Sequence, residues 1–111
     1  MDVHSLNDFT KGWFIGNFAP TLDNTNDFEI AIKHYDAGES ESRHVHRVAT
    51  EYTAIISGHV QMNGQDFYAN DIVVIHPGES TDFVVLEKTA TVVVKTPCVQ
   101  NDKFLITDKE S

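Results

Sequence analysis

Short apolar runs broken by turn-forming residues recur along the whole chain. Val, Ile, Phe, Tyr and Thr gather at 28–35, 52–57, 72–75, 83–86 and 89–95. Each run has the length of a strand and the β-branched or aromatic content that packs on a pleated surface. Turn residues separate them at Asp36-Ala37-Gly38, Asn63-Gly64, Ala69-Asn70-Asp71 and His76-Pro77-Gly78. Asn63-Gly64 sits between Val60-Gln61-Met62 and Asp66-Phe67-Tyr68. This pair predicts a tight antiparallel hairpin, because both central residues of a type I′ turn need positive φ. No segment of a dozen residues sustains apolar spacing at three and four, so no crossover helix is expected. The pattern predicts an all-β chain closed as a barrel or a double-sheet sandwich. Trp13-Phe14-Ile15 and Phe18 are expected as an extra strand or cover on that barrel, with a subunit contact as the alternative. The polar residues 108–111 are expected to fray.

The chain of 111 residues is one domain, with no internal repeat or low-complexity tract, so any functional site must lie inside it. Eight Lys and Arg against 17 Asp and Glu give a net charge of −9. That balance argues against nucleic acid and anionic membrane surfaces as partners. No apolar stretch approaches the roughly 20 residues of a membrane helix. The start, Met1-Asp2-Val3-His4-Ser5, lacks the basic and apolar regions of a secretion signal, so a cytoplasmic location is the default expectation. Cys98 is the only cysteine. An internal disulfide and a thiolate zinc site are thereby excluded, and a buried, inert thiol is expected.

One cluster has a chemical reading. Gly38, His44, His46, Glu51 and Gly58 spell G-x5-H-x-H-x4-E-x6-G. Alternation along a strand puts His44 and His46 on one face, with Val45 on the other. Residues 47–50 leave room for a turn, so Glu51 can return on the neighbouring strand and face the same point. Two neutral imidazoles and a carboxylate suit one divalent transition metal (Zn, Fe, Mn, Co or Ni), and three ligands leave positions for water or substrate. A solvent-facing His-x-His with an unrelated glutamate is the alternative, and the complete spacing favours the metal.

The segment from Gly38 to Gly58 resembles, without a gap, the first sequence motif of the cupin superfamily, and His44–Glu51 is similar to the matching stretch of germin-like members. The resemblance covers about 27–95 and implies a single cupin domain over 1–111, a jelly-roll barrel or double-stranded β-helix with a metal near its centre. The second cupin motif, G-x5-P-x-G-x2-H, falls on residues 70–81 with only Gly78 in place. Asn70 stands for the first glycine, His76 for the proline, and Thr81 for the histidine that would supply the last ligand. A threonine hydroxyl is a poor ligand, so three protein ligands plus solvent are expected, or a recruited neighbour. Asp82 is the nearest carboxylate, though it should face away unless a bulge re-aims it. On the strand before the motif, either Lys33 and Tyr35 or His34 faces the pocket, depending on register. A surface or hydrogen-bonded structural role is expected for His59 and His76, and none for His4.

The resemblance implies a scaffold rather than a reaction. The first expectation is a metal-dependent enzyme, an isomerase or a dioxygenase. Its substrate would be a small polar metabolite, a carbohydrate derivative or a keto or carboxylic acid, chelated at the 2-His-1-Glu site. Glu51 is a ligand first and a candidate base second. The alternatives are a non-catalytic binding or sensing module, and a metal-free pocket resembling dTDP-sugar epimerases with a histidine base. A small-molecule ligand is the expected partner, and a homodimer formed through edge strands the expected assembly.

Overall fold

The computed structural model describes residues 1–106; the 108–111 tail lies outside the described residues. Two single 3-10 turns at Leu6–Asp8 and Thr10–Gly12 lead into β1 (Trp13–Ile15). Then follow β2 (Glu29–Tyr35), β3 (Ser40–His46), β4 (Thr50–Met62), β5 (Gln65–Tyr68), β6 (Ile72–Ile75), β7 (Ser80–Thr96) and β8 (Lys103–Leu105). Every pairing is antiparallel. Among the described residues no helix is long and apolar enough to cross a membrane.

Two long strands organise the molecule. The first half of β7 pairs with β3 and the end of β4, and its second half lies between β2 and the start of β4. β4 likewise pairs with β6 early and β5 late. The sheet therefore curls over itself and encloses an interior. The runs at 83–86 and 89–95, separate in the sequence pattern, are halves of β7, and 52–57 and 60–62 are halves of β4. Register shifts between Ile55 and Val60 bend β4 without breaking it. Gly58 sits in that bend at φ +101°, where an added Cβ would lie 2.1 Å from Thr89 Oγ1, so only glycine fits. The predicted hairpin forms, with Asn63 and Gly64 at φ 52° and 76°.

The apolar core draws Ile55, Val60 and Met62 from β4, Phe83 and Val85 from β7, and Ile75 from β6. Burying each such side chain contributes roughly 1.5–3 kcal/mol before entropy is counted. The N-terminal segment lies against β2. Trp13 pairs with Ala31, and the backbone of Gly12 approaches so closely that a Cβ there would sit 1.9 Å from the Ile32 carbonyl oxygen. The expected N-terminal strand or cover is thus present as β1, and it brings the Trp13 indole over the inward lysines of β2 and β7.

Candidate metal centre

His44 and His46 project inward from β3 and are both buried, while Glu51, at the start of β4, is half-buried. One ligand atom from each lies within 4.8 Å of the others. The two imidazoles meet edge to face, with centroids 5.2 Å apart. Nδ1 of His44 stands 3.0 Å from the Ser42 carbonyl oxygen. A carbonyl can only accept, so Nδ1 carries the proton and the Nε2 lone pair is left for a ligand, the arrangement that orients metal-bound histidines. Glu51 Oε2 accepts from the Thr53 hydroxyl at 3.0 Å. These donors, neutral nitrogen and carboxylate oxygen aimed from two strands, fit a divalent ion.

The turn that joins the two strands is held by a residue the sequence motif does not include. The buried Asp102 carboxylate accepts from the backbone N–H groups of Arg47 (3.0 Å), Val48 (3.1 and 3.2 Å) and Ala49 (2.9 Å). Burial alone would raise its pKa, but the three amide donors and His46 outweigh that and lower it. Asp102 is therefore an anion that fixes the spacing between His46 and Glu51. Nothing in the local sequence signals it, because it lies far along the chain in a loop before β8.

Lys95 is the second such residue. Its register partners are Glu29 on β2 and Glu51 on β4, and it shares inward parity with Thr91 and Val93. Its ammonium lies 3.1 Å from Glu29 Oε1, 3.3 Å from His46 Nε2 and 4.8 Å from the centroid of the Trp13 ring. Burial first, then Lys95 and His44, hold His46 down to about 4, with Asp102 opposing. His46 is thus neutral at physiological pH, as metal ligation requires. Cys98 is buried and donates to Glu29 Oε2 at 3.0 Å. Burial pushes its thiol pKa up, in keeping with an unreactive role.

A cavity of about 360 Å³ opens beside the ligands, with Trp13, Lys33, Tyr35, His44, Glu51 and Thr91 among its lining. The register that the sequence left undetermined is settled by Lys33↔Thr91 and Tyr35↔Thr89: Lys33 and Tyr35 face the cavity and His34 is exposed. Tyr35 packs on Phe83 with ring centroids 5.0 Å apart. Burial, and then the carboxylates of Glu41, Glu51 and Glu39, push its pKa up, so the phenol keeps its proton.

Two other residues considered from sequence lie elsewhere. Thr81 is buried beside His44 in the β3–β7 register, but its hydroxyl donates to the Asp82 carbonyl at 2.8 Å and it does not line the cavity. Asp82 does not line this cavity either. It accepts from the Asn63 N–H at 2.7 Å and sits 3.9 Å from Arg43, bracing the 63–64 turn from the outer face. The β3–β7 register does shift opposite Asp82, between Glu41↔Phe83 and His44↔Thr81, but the extra residue is on β3. β7 keeps its alternation, with buried Thr81 and Phe83 on either side of Asp82, so Asp82 is not turned inward. His59 stacks on Tyr68 and contacts Asp66 at 2.7 Å, and His76 is exposed; neither meets the ligand cluster.

No protein-family model and no curated protein matches the sequence. Solved structures do match. A Klebsiella pneumoniae protein with a double-stranded β-helix domain superposes with a TM-score of 0.73 at 20% identity, over 98% of this chain and 92% of that one. An RmlC-like cupin from Shewanella frigidimarina superposes with a TM-score of 0.62 at 17% identity, over 69% and 71%. The protein has the cupin fold. A third similar structure, the DMSP lyase DddQ of Ruegeria pomeroyi, gives a TM-score of 0.68 at 16% identity, over 88% of this chain and 53% of that one. At these identities the likeness is one of fold, and the cupin fold accounts for the way β4 and β7 are shared between the two sides of the curled sheet. The chemistry must come from this chain's own residues.

Proposed function

We propose that this cupin binds one divalent transition metal through His44, His46 and Glu51 and acts on a small polar metabolite, a carbohydrate derivative or a keto or carboxylic acid. The observation that carries the reading is the convergence of three ligand atoms within 4.8 Å, with His44 and Glu51 on the wall of a cavity of about 360 Å³. A bound ion would supply Lewis acidity and open positions for a chelating ligand. His44 is oriented by Ser42 and Glu51 by Thr53, while Asp102 holds the turn that connects their two strands.

Equilibrium dialysis against Fe²⁺, Zn²⁺, Mn²⁺, Co²⁺ and Ni²⁺, followed by elemental analysis, tests the site. Wild type should retain one ion per chain, and His44→Ala and Glu51→Gln should each lose it. Wild type that retains none of the five, or variants that retain as much as wild type, would refute the proposal. One observation favours a second, metal-free reading: Lys95 Nζ stands 3.3 Å from His46 Nε2, where it offers a hydrogen bond to the lone pair a metal would use. The same dialysis separates the two.

The assembly we propose is a homodimer, joined through a sheet face rather than an edge. Ile30 and Ile32 of β2, Val92 and Val94 of β7, Tyr52 and Ala54 of β4 and Ile72 and Val74 of β6 pair across four strands, leaving Tyr52, Ile72 and Val74 41–67% exposed. An outer sheet face this uniformly apolar is one that a second copy would cover through an isologous contact.

A further inference from the structure

Four of the eight cationic side chains of this acidic protein, Lys11, Lys33, Lys95 and Lys103, line the cavity beside the metal ligands. Lys95 is accounted for by Glu29 and His46. Lys33 is not: among the described residues its ammonium makes no ion pair or hydrogen bond, and it stands 5.4 Å from the centroid of the Trp13 ring. The Tyr35 hydroxyl, two residues on and on the same face, has no hydrogen bond among the described residues either. Thr91, directly opposite Lys33 in the β2–β7 register, is fully buried, lines the same cavity, and has the one buried side-chain oxygen without a partner among the described residues.

Unspent donors on a cavity wall ask for an acceptor. Burial lowers the pKa of Lys33; Glu41 opposes this, and Lys103, Lys95 and Lys11 add to it. Four lysines share the cavity lining with three glutamates, Glu29, Glu41 and Glu51, of which Glu29 is paired with Lys95 and Glu51 is a proposed metal ligand, so a half-buried ammonium at Lys33 is stabilised by a further anion. A neutral hydroxyl could accept a hydrogen bond here but could not balance the charge. We propose that Lys33 and Tyr35 form a carboxylate-binding subsite of the cavity, so that the ligand is a small organic acid with one end at His44, His46 and Glu51 and a carboxylate at the Lys33 end. The Trp13 ring stands 5.4 Å from the Lys33 ammonium and Glu41 lines the same cavity. This rests on the proposed function only for the ion at the other end.

The test titrates malonate, succinate and glutarate, and the diamide of each, into metal-loaded and metal-free protein by calorimetry. At least one dicarboxylate should bind ten-fold or more tightly than its diamide. Lys33→Met, which keeps the apolar stem, should weaken that binding ten-fold or more. Tyr35→Phe, which keeps the ring packed on Phe83, should weaken it several-fold. Metal content and melting temperature should be unchanged in both variants. Unchanged affinity in Lys33→Met, diamides that bind as well as the acids, or no dicarboxylate binding at all would each overturn the subsite. If instead wild type takes up no metal, the metal reading fails while metal-free protein still reports on the subsite, which then stands only if dicarboxylate binding is lost in Lys33→Met.

Discussion

Asp102 offers the most direct test of how the site is held together. Its carboxylate accepts four contacts of 2.9–3.2 Å from three consecutive amides. Net values for hydrogen bonds to a charged group run at about 1.5–3 kcal/mol each. In Asp102→Ala the amides of the exposed Arg47 and Val48 can turn to water, so much of their share is recovered, but the N–H of buried Ala49 cannot, and it carries the desolvation penalty of an unmade bond. The sum is about 2–4 kcal/mol, or a fall of roughly 10 °C in melting temperature for a domain of this size. The sign with pH follows from the direction of the shift. The folded pKa of Asp102 lies below its unfolded value of about 3.9, so its stabilisation is fully present above pH 5 and is lost as pH falls through the folded value. Thermal melts of both proteins from pH 8 to pH 3 should show a constant gap down to about pH 5 and a shrinking one below it. Because this turn spaces His46 from Glu51, metal affinity should also fall in Asp102→Ala. A melting temperature within about 2 °C of wild type at pH 7 would refute the argument that this carboxylate fixes the turn.

The other predictions follow the same geometry. Metal should be lost from His44→Ala and Glu51→Gln in dialysis, as argued above, and dicarboxylate affinity from Lys33→Met. Lys95→Met should raise divalent-metal affinity at pH 7 roughly ten-fold, because it removes a like charge 3.3 Å from the His46 nitrogen and even unit charges about 4 Å apart repel by about 1 kcal/mol in a water-like dielectric. The gain should shrink at pH 5, since His46 without Lys95 protonates more readily; competition with a fluorescent chelator reads both, and weaker binding at pH 7 would count against the assigned ligands. Ile72→Glu, on the apolar outer face, should yield a monomer by sedimentation velocity where wild type is a dimer, and an unaltered dimer would place the interface elsewhere.

How much of this was legible beforehand depends on the range of the interaction. Gly38, His44, His46, Glu51 and Gly58 are close in sequence; strand alternation puts the two histidines on one face, and a short turn returns Glu51 to the same side. Asn63-Gly64 is equally local, and its hairpin is where the pattern put it. The long strands were harder, since the bends near Gly58 in β4 and Glu87–Thr89 in β7 look like turns in a one-dimensional pattern and are continuous pairing in three dimensions. β3 carries Ser-Glu-Ser-Arg before its histidines and β8 is three exposed residues, so neither has an apolar run to mark it. Asp102 meets residues 47–49 across more than fifty positions, and Lys95 reaches His46 across forty-nine; no local spacing encodes such contacts. The choice between Lys33 with Tyr35 and His34 needed the β2–β7 register, which is set by pairing with a strand sixty residues away.

The distribution of charge carries the last step. A chain of net charge −9 repels anions at long range, so an interior wall with Lys11, Lys33, Lys95 and Lys103 reflects placement rather than composition. Screening weakens the outer field beyond about 8–10 Å, whereas groups on a partly dry cavity wall act on a ligand at contact distance. The Trp13 indole stands against two of these ammoniums, 4.8 Å from Lys95 and 5.4 Å from Lys33, and their surroundings divide the cavity between them. Lys95 is bound by Glu29 and His46 at the metal end, where any incoming cation must contend with it, while Lys33 makes no ion pair among the described residues and shares its end with Glu41 alone. A ligand that brings a carboxylate to Lys33 and a chelating group to the ion would satisfy both ends at once, which a neutral sugar or a free metal ion alone cannot do.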